Sequence, residues 1–139
     1  DTRNIFICAD SKRLLSAFLE LLSNAAEADN SCGSIQIHSH VNACGHTVTV
    51  SVTGKGSLSE INPSEMQTNP LIDADAPLTA QLSTPFFSTK ENHAGLGLSI
   101  VAQVCHTHHA GFELYSRNGF TTAGITFPIL AMDDMRNTI

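Results

Sequence analysis

Basic residues are scarce in this chain. Seven Lys and Arg stand against thirteen Asp and Glu in 139 residues, a formal net charge of −6. A surface with that balance does not gather polyanions, which excludes nucleic acid and an anionic membrane surface as main partners. Any anionic ligand has to be held by local donors, because the field of the whole chain opposes it. No apolar run approaches the roughly 18 residues that a membrane span needs, so no membrane contact is expected, and no signal peptide follows Asp1. The four cysteines, at positions 8, 32, 44 and 105, form no Cys-x-x-Cys pair. Scattered single thiols suit a reducing cytosol rather than a disulfide framework. A Gly-x-Ser-x-Gly elbow is missing, and Gly54-Lys-Gly56-Ser57 lacks the spacing of a P-loop. His38, His40 and His46 fall in one region and His106, His108 and His109 in another, but no Cys joins either at zinc spacing, so no metal site is expected there.

What remains is enough for one domain with a core: hydrophobic residues make up 42% of the chain, a globular composition. A chain that begins at Asp1 without Met reads as a fragment or a processed piece. Asn4-Ile-Phe-Ile-Cys8 reads as a short strand. Asp10 or Ser11 offers an N-cap. Leu14, Leu15, Phe18, Leu21, Leu22, Ala25 and Ala26 then recur at helical spacing and predict a helix over about 11–28. Two stretches of period two, 34–41 and 46–53, flank the turn signal Asn42-Ala-Cys-Gly45 and predict a hairpin. Val48, Val50 and Val52 share one of its faces.

Four of the five prolines fall in 54–94, among Ser, Thr, Asn and Asp. Short helical turns are expected near 58–61 and 77–82. So long a connection in a compact domain is a functional lid or a disordered segment. A second helix over about 95–109 turns Ile100, Val101, Val104 and Cys105 inward. Residues 111–116 and 125–130 read as strands about the Asn118-Gly119 turn. The domain is set at 1–131, with the lid at about 57–94 and a polar tail at 132–139. Strand, helix, hairpin, lid, helix, hairpin predicts an α+β two-layer sandwich: a mixed, mostly antiparallel sheet packed against about three helices.

The most informative stretch is Thr84-Pro-Phe-Phe-Ser-Thr-Lys90, with Gly95-Leu96-Gly97-Leu98 close behind. Glycine lets backbone N–H groups approach a phosphate closely. The helix that the turn opens adds about half a positive charge and free donors.

Five ordered segments together resemble the ATP-binding catalytic domain of sensor histidine kinases, within the wider GHKL ATPase superfamily. Glu20-Leu-Leu-Ser-Asn24-Ala-Ala-Glu27 is similar to the N box. Val52-Thr-Gly54-Lys-Gly56 stands where a G1 box belongs. Thr84 to Lys90 resembles the F box, in a form most like the nitrogen-regulation kinases, and Gly95 to Leu98 resembles the G2 box. His109-Ala-Gly111 matches a His-Gly-Gly that follows the second helix.

This resemblance implies a Bergerat-type fold and γ-phosphoryl transfer from Mg-ATP to a histidine on a dimerisation domain absent from this chain. It implies a response regulator as further partner and a cytoplasmic place, as in the cytoplasmic part of a membrane-bound sensor. Asn24 would hold Mg²⁺ through its amide oxygen. Glu20, one turn earlier on the same helix face, would polarise the attacking group. Gly54, Gly56, Gly95, Leu96, Gly97 and Leu98 would line the nucleotide. Lys90 or Lys55 would offer charge to the γ-phosphate, and Phe86 and Phe87 would anchor the lid.

Two positions depart from the pattern. The G1 Asp, which accepts a hydrogen bond from the adenine amino group, is replaced by Val52. A polar edge left unpaired there costs about 1–3 kcal/mol, unless Thr53 or a water takes its place. The first G2 glycine is replaced by His93. An alternative therefore stands beside the kinase reading: a domain that no longer binds ATP and docks a response regulator or a partner kinase.

Overall fold

The computed structural model describes residues 4–28, 33–56 and 97–130. The expected lid with its two helical turns, the F box, Lys90, His93, Gly95, Leu96 and the tail lie outside the described residues. The elements run α1 (Ser11–Ala28), β1 (Gln36–Val41), β2 (Thr47–Lys55), α2 (Gly97–Thr107), β3 (Gly111–Arg117) and β4 (Phe120–Pro128).

Helix α1 starts where its cap allows. Asp10 Oδ1 accepts from the Lys12 N–H at 2.9 Å and the Arg13 N–H at 3.1 Å, pairing two amides that a helix start leaves unpartnered. The Arg13 amide is the main cause that holds the Asp10 carboxyl below its ordinary value, helped by the Lys12 amide and nearby positive charge. The apolar stripe then selects the buried face: Ala17 and Leu21 are buried, with Leu14, Phe18, Leu22 and Ala25 packed beside them.

Both hairpin turns need backbone that most residues avoid. Gly45 has φ +73°, and Asn42 Oδ1 accepts from the amides of His46 and Thr47 across that turn. Asn118 and Gly119 have φ +54° and +77°, the pair of positive values that a tight two-residue hairpin turn requires.

The sheet order is β1-β2-β4-β3, and every pairing is antiparallel. The expected parallel component is thus absent from the ladders of the described residues. The reason is topological: the crossover through α2 does make β2 and β3 parallel, but β4 inserts between them and pairs with both. A second correction concerns Asn4 to Cys8, which has no regular structure. Among the described residues its tie is a single backbone bond, the Leu130 N–H donating to Phe6 O at 2.9 Å, and one bond makes no ladder.

One sheet face carries Val48, Val52, Ala123, Ile125 and Phe127 into a core closed by Ala17 and Leu21 of α1 and Val101, Val104 and Cys105 of α2. Ile100 was expected inward but is exposed. The inward stripe of α2 runs through 101, 104 and 105, and residue 100 lies about 100° round the helix from Val101. The opposite sheet face is polar, with Thr49 and Thr126 hydroxyls 2.8 Å apart and those of Thr53 and Thr122 also at 2.8 Å. Cys8, Cys44 and Cys105 are all free thiols. Burial pushes the Cys105 thiol up to about 11, so it behaves as a small apolar side chain.

Candidate functional site

Helix α1 brings the site together along its second half. Glu20 and Asn24 are separated by one turn, so their side chains leave the same face. Both are half-buried. That face meets the first residue of α2. A Cβ placed on Gly97 would lie 2.7 Å from Glu20 Oε2 and 3.6 Å from Asn24 Nδ2. No other residue type leaves this room. The start of α2 therefore faces a carboxylate and a carboxamide, and brings the partial positive charge of a helix N-terminus. Leu98, the next residue, packs partly buried against the core.

The end of β2 meets α1 a turn further along. A Cβ on Gly54 would stand 2.9 Å from Ala25 Cβ and 3.1 Å from Ala25 O. Gly56 has φ +141°, and a Cβ there would sit 3.1 Å from Ala28 Cβ. Gly56 is held on both sides: its N–H donates to Gly119 O at 2.9 Å, and its carbonyl accepts from Thr121 Oγ1 at 3.0 Å. Lys55, between these glycines, is exposed at the strand end. Two segments distant in sequence, the start of α2 and the end of β2, thus converge on the C-terminal half of α1. Ala25 was read only as part of the apolar stripe of α1, and Ala28 was not singled out. Their signal was there in the small residues that follow Asn24, which match the glycines of β2.

Val52 lies elsewhere in this geometry. It is only 2% exposed and sits in the core, with Ile37 and Ala123 as its cross-strand neighbours. Its methyl groups occupy a place that accepts no hydrogen bond. The substitute acceptor considered for it, Thr53, is corrected by the structure. Successive strand residues face opposite sides of a sheet, and Thr53 Oγ1 pairs with Thr122 Oγ1 at 2.8 Å on the far face.

The donor chemistry fits a hard divalent cation. A carboxamide oxygen and a carboxylate are the oxygen ligands such ions take. Gly97 leaves open the space between them and the helix start. Among the described residues no His or Cys joins a cluster able to hold a metal. None of the described helices is long and apolar enough to cross a membrane.

With this arrangement in hand, comparison with known proteins is direct. Residues 9–131 match the family described as histidine kinase-, DNA gyrase B-, and HSP90-like ATPase. The chain is 33% identical over 127 residues to the sensory histidine kinase/phosphatase NtrB of Rhizobium leguminosarum bv. phaseoli, covering 88% of this chain and 32% of that protein. It is 28% identical to NtrB of Rhodobacter capsulatus, covering 86% of this chain and 33% of that protein. The chain therefore spans about a third of the length of these relatives. Among solved structures, the nucleotide-free catalytic domain of the histidine kinase ThkA matches with a TM-score of 0.64 at 28% identity, over 88% of this chain and 70% of that one. Full-length ShkA in complex with AMPPNP shares the fold, with a TM-score of 0.66 at 22% identity, over 92% of this chain and 24% of that one. The chain belongs to the histidine kinase-, DNA gyrase B-, and HSP90-like ATPase family, and within it is similar to the catalytic domains of sensor histidine kinases.

Proposed function

We propose that this domain binds Mg-ATP at the junction of α1 and α2 and presents the γ-phosphoryl group to a histidine on a dimerisation domain outside this chain. A response regulator then takes the phosphoryl group onward, on the cytoplasmic side of the cell. The observation that carries this reading is the meeting of Glu20 and Asn24 with Gly97 at the start of α2.

The residues divide the work by their chemistry. The α2 N-terminus offers backbone N–H groups and a favourable dipole to the phosphates. Gly97 keeps a side chain out of that approach, and Gly95 would do the same in the G2 box. Asn24, through its amide oxygen, would hold the magnesium ion, with Glu20 close by. When bound, that ion supplies the positive charge that lets phosphate oxygens sit beside the Glu20 carboxylate. Glu20 would orient and polarise the attacking group, and Lys90 or Lys55 would add charge at the γ-phosphate. Gly54 and Gly56 let α1 sit close to the end of β2, which would fix where Asn24 stands. Catalysis of this kind rests on positioning and charge neutralisation. The reading of a docking module without nucleotide has less support, because the N-box side chains and the helix start remain assembled.

Calorimetric titration with Mg-ADP and Mg-ATP tests the reading. The expected result is binding in the micromolar to low-millimolar range, abolished by Asn24→Ala with the unfolding transition unchanged. Absence of heat and of any thermal shift at millimolar nucleotide overturns it. Gly97→Ala separates the site from the fold. The new methyl group meets the far end of a flexible side chain, Glu20 Oε2, so thermal stability should stay within about 0.5 kcal/mol of the parent. Nucleotide affinity should fall, because Glu20 has to leave its place. A Gly97→Ala chain that binds as well as the parent argues against any role for this junction.

A further inference from the structure

The strongest feature left unused by the nucleotide site lies at the opposite end of the two helices. His108 follows α2, and its backbone N–H donates to Val104 O at 3.1 Å and to Cys105 O at 3.2 Å. Its ring reaches two backbone groups. Nδ1 lies 2.7 Å from Val104 O. Nε2 lies 2.9 Å from the backbone N of Asp10, the residue whose carboxylate caps α1. A carbonyl only accepts, so Nδ1 carries the hydrogen. A backbone N–H only donates, so Nε2 offers its lone pair. Both contacts specify one form of the side chain: the neutral imidazole with its hydrogen on Nδ1. Thr107 Oγ1 donates to the same Val104 carbonyl at 3.0 Å, and stands 3.2 Å from Nδ1.

An imidazolium cannot make this pair of contacts. Its Nε2–H would point at the N–H of Asp10, donor against donor. The charged group facing the ring is the Asp10 carboxylate; Lys12 and Arg13 follow in the first turn of α1, the Arg13 Nε 3.8 Å from Asp10 Oδ2. On its own side stand His106 and His109. Asp10 Oδ1 already accepts from two helix amides, so it is committed to the cap.

We propose that His108 is a proton-operated latch between the N-cap of α1 and the C-terminus of α2, closed in the neutral form and released on protonation. The two helices it joins are those that carry Glu20, Asn24 and Gly97 at their other ends. The latch stands on the helix ends alone and does not depend on nucleotide binding.

Nuclear magnetic resonance of this chain tests it. At about pH 8 the ring nitrogens of His108 should show the neutral form with hydrogen on Nδ1. The Asp10 amide should be protected from hydrogen exchange, relative to its intrinsic rate at that pH. At a lower pH at which the ring nitrogens themselves report the imidazolium, that protection should fall about three- to tenfold. His108→Gln supplies one acceptor and one donor but does not titrate, so it should hold the Asp10 amide equally at both pH values. Three results overturn the proposal: hydrogen on Nε2 at the higher pH, Asp10 protection that is the same at both, or a His108→Gln chain that loses protection as the parent does. Should His108→Gln fail to fold, the ring form and amide protection of the parent chain decide alone. A ring that swings onto Asp10 Oδ2 when charged and keeps the helices tied would leave protection unchanged, and so counts against the latch.

Discussion

Val52→Asp should do two opposite things. In the empty domain it should lower stability by about 2–3 kcal/mol, because a side chain in the apolar core gains polar oxygens and loses methyl burial. Its neighbours offer little compensation: Ile37 and Ala123 flank it across the strands, and its exposure is only 2%. On the proposed nucleotide reading, the same carboxylate would supply the acceptor that the resemblance assigns to the G1 acid. Affinity for Mg-ADP should therefore rise by about 1–3 kcal/mol, ten- to a hundredfold. Urea unfolding with and without saturating Mg-ADP measures both effects at once. The parent chain should gain less from nucleotide than Val52→Asp does. A variant that is destabilised but binds no better would show that Val52 serves the core and has no part in recognising the base. A variant that loses no stability would show that the strand face at 52 opens to water in solution.

This duality explains what could be read from the sequence. Helix α1 was legible because three independent signals coincide: the cap at Asp10, the apolar spacing from Leu14 to Ala25, and the break after Ala28. The hairpins were legible because Asn42 to Gly45 and Asn118-Gly119 carry turn chemistry that few other residues supply. The strand assigned to Asn4 to Cys8 shows where pattern fails. An apolar run records a tendency to be covered, but a strand needs a partner with a free edge, and that is decided far away in the chain. Ile100 fails for a related reason: one step along a helix moves a side chain by 100°, and α2 is too short for its stripe to be placed from spacing alone.

The site was legible as motif but not as geometry. Glu20 and Asn24 could be put on one helix face, and Gly97 at a helix start. Their meeting depends on two helices crossing a sheet whose register neither motif encodes. The pairing of Gly54 with Ala25 was invisible for the same reason. Small residues report their function by what they leave out, and only the packed structure shows what fills the space.

Gly54→Ala makes that point measurable. Glycine in a strand interior is ordinarily a weakness, and replacing it by alanine in open space stabilises by about 0.4–1 kcal/mol through the unfolded chain. Gly54 has no positive φ to forbid alanine, so backbone strain predicts nothing against the change. The contact decides the sign. The new methyl carbon would lie 2.9 Å from Ala25 Cβ, 3.1 Å from Ala25 O and 3.2 Å from Ala25 Cα. Two of these are backbone atoms of α1 and cannot rotate away. The helix has to shift, so Gly54→Ala should destabilise the domain by about 1–3 kcal/mol. Ala25→Gly, added to it, removes the closest of the three contacts and should restore only part, since the carbonyl and Cα remain. The shift should also weaken nucleotide binding, because Asn24 precedes Ala25 and moves with it. Chemical unfolding of the single and double variants, read beside Mg-ADP titration, tests both consequences. If Gly54→Ala proves as stable as the parent, α1 does not press on the end of β2, and the distance that sets Asn24 against Gly97 is fixed by α2 alone.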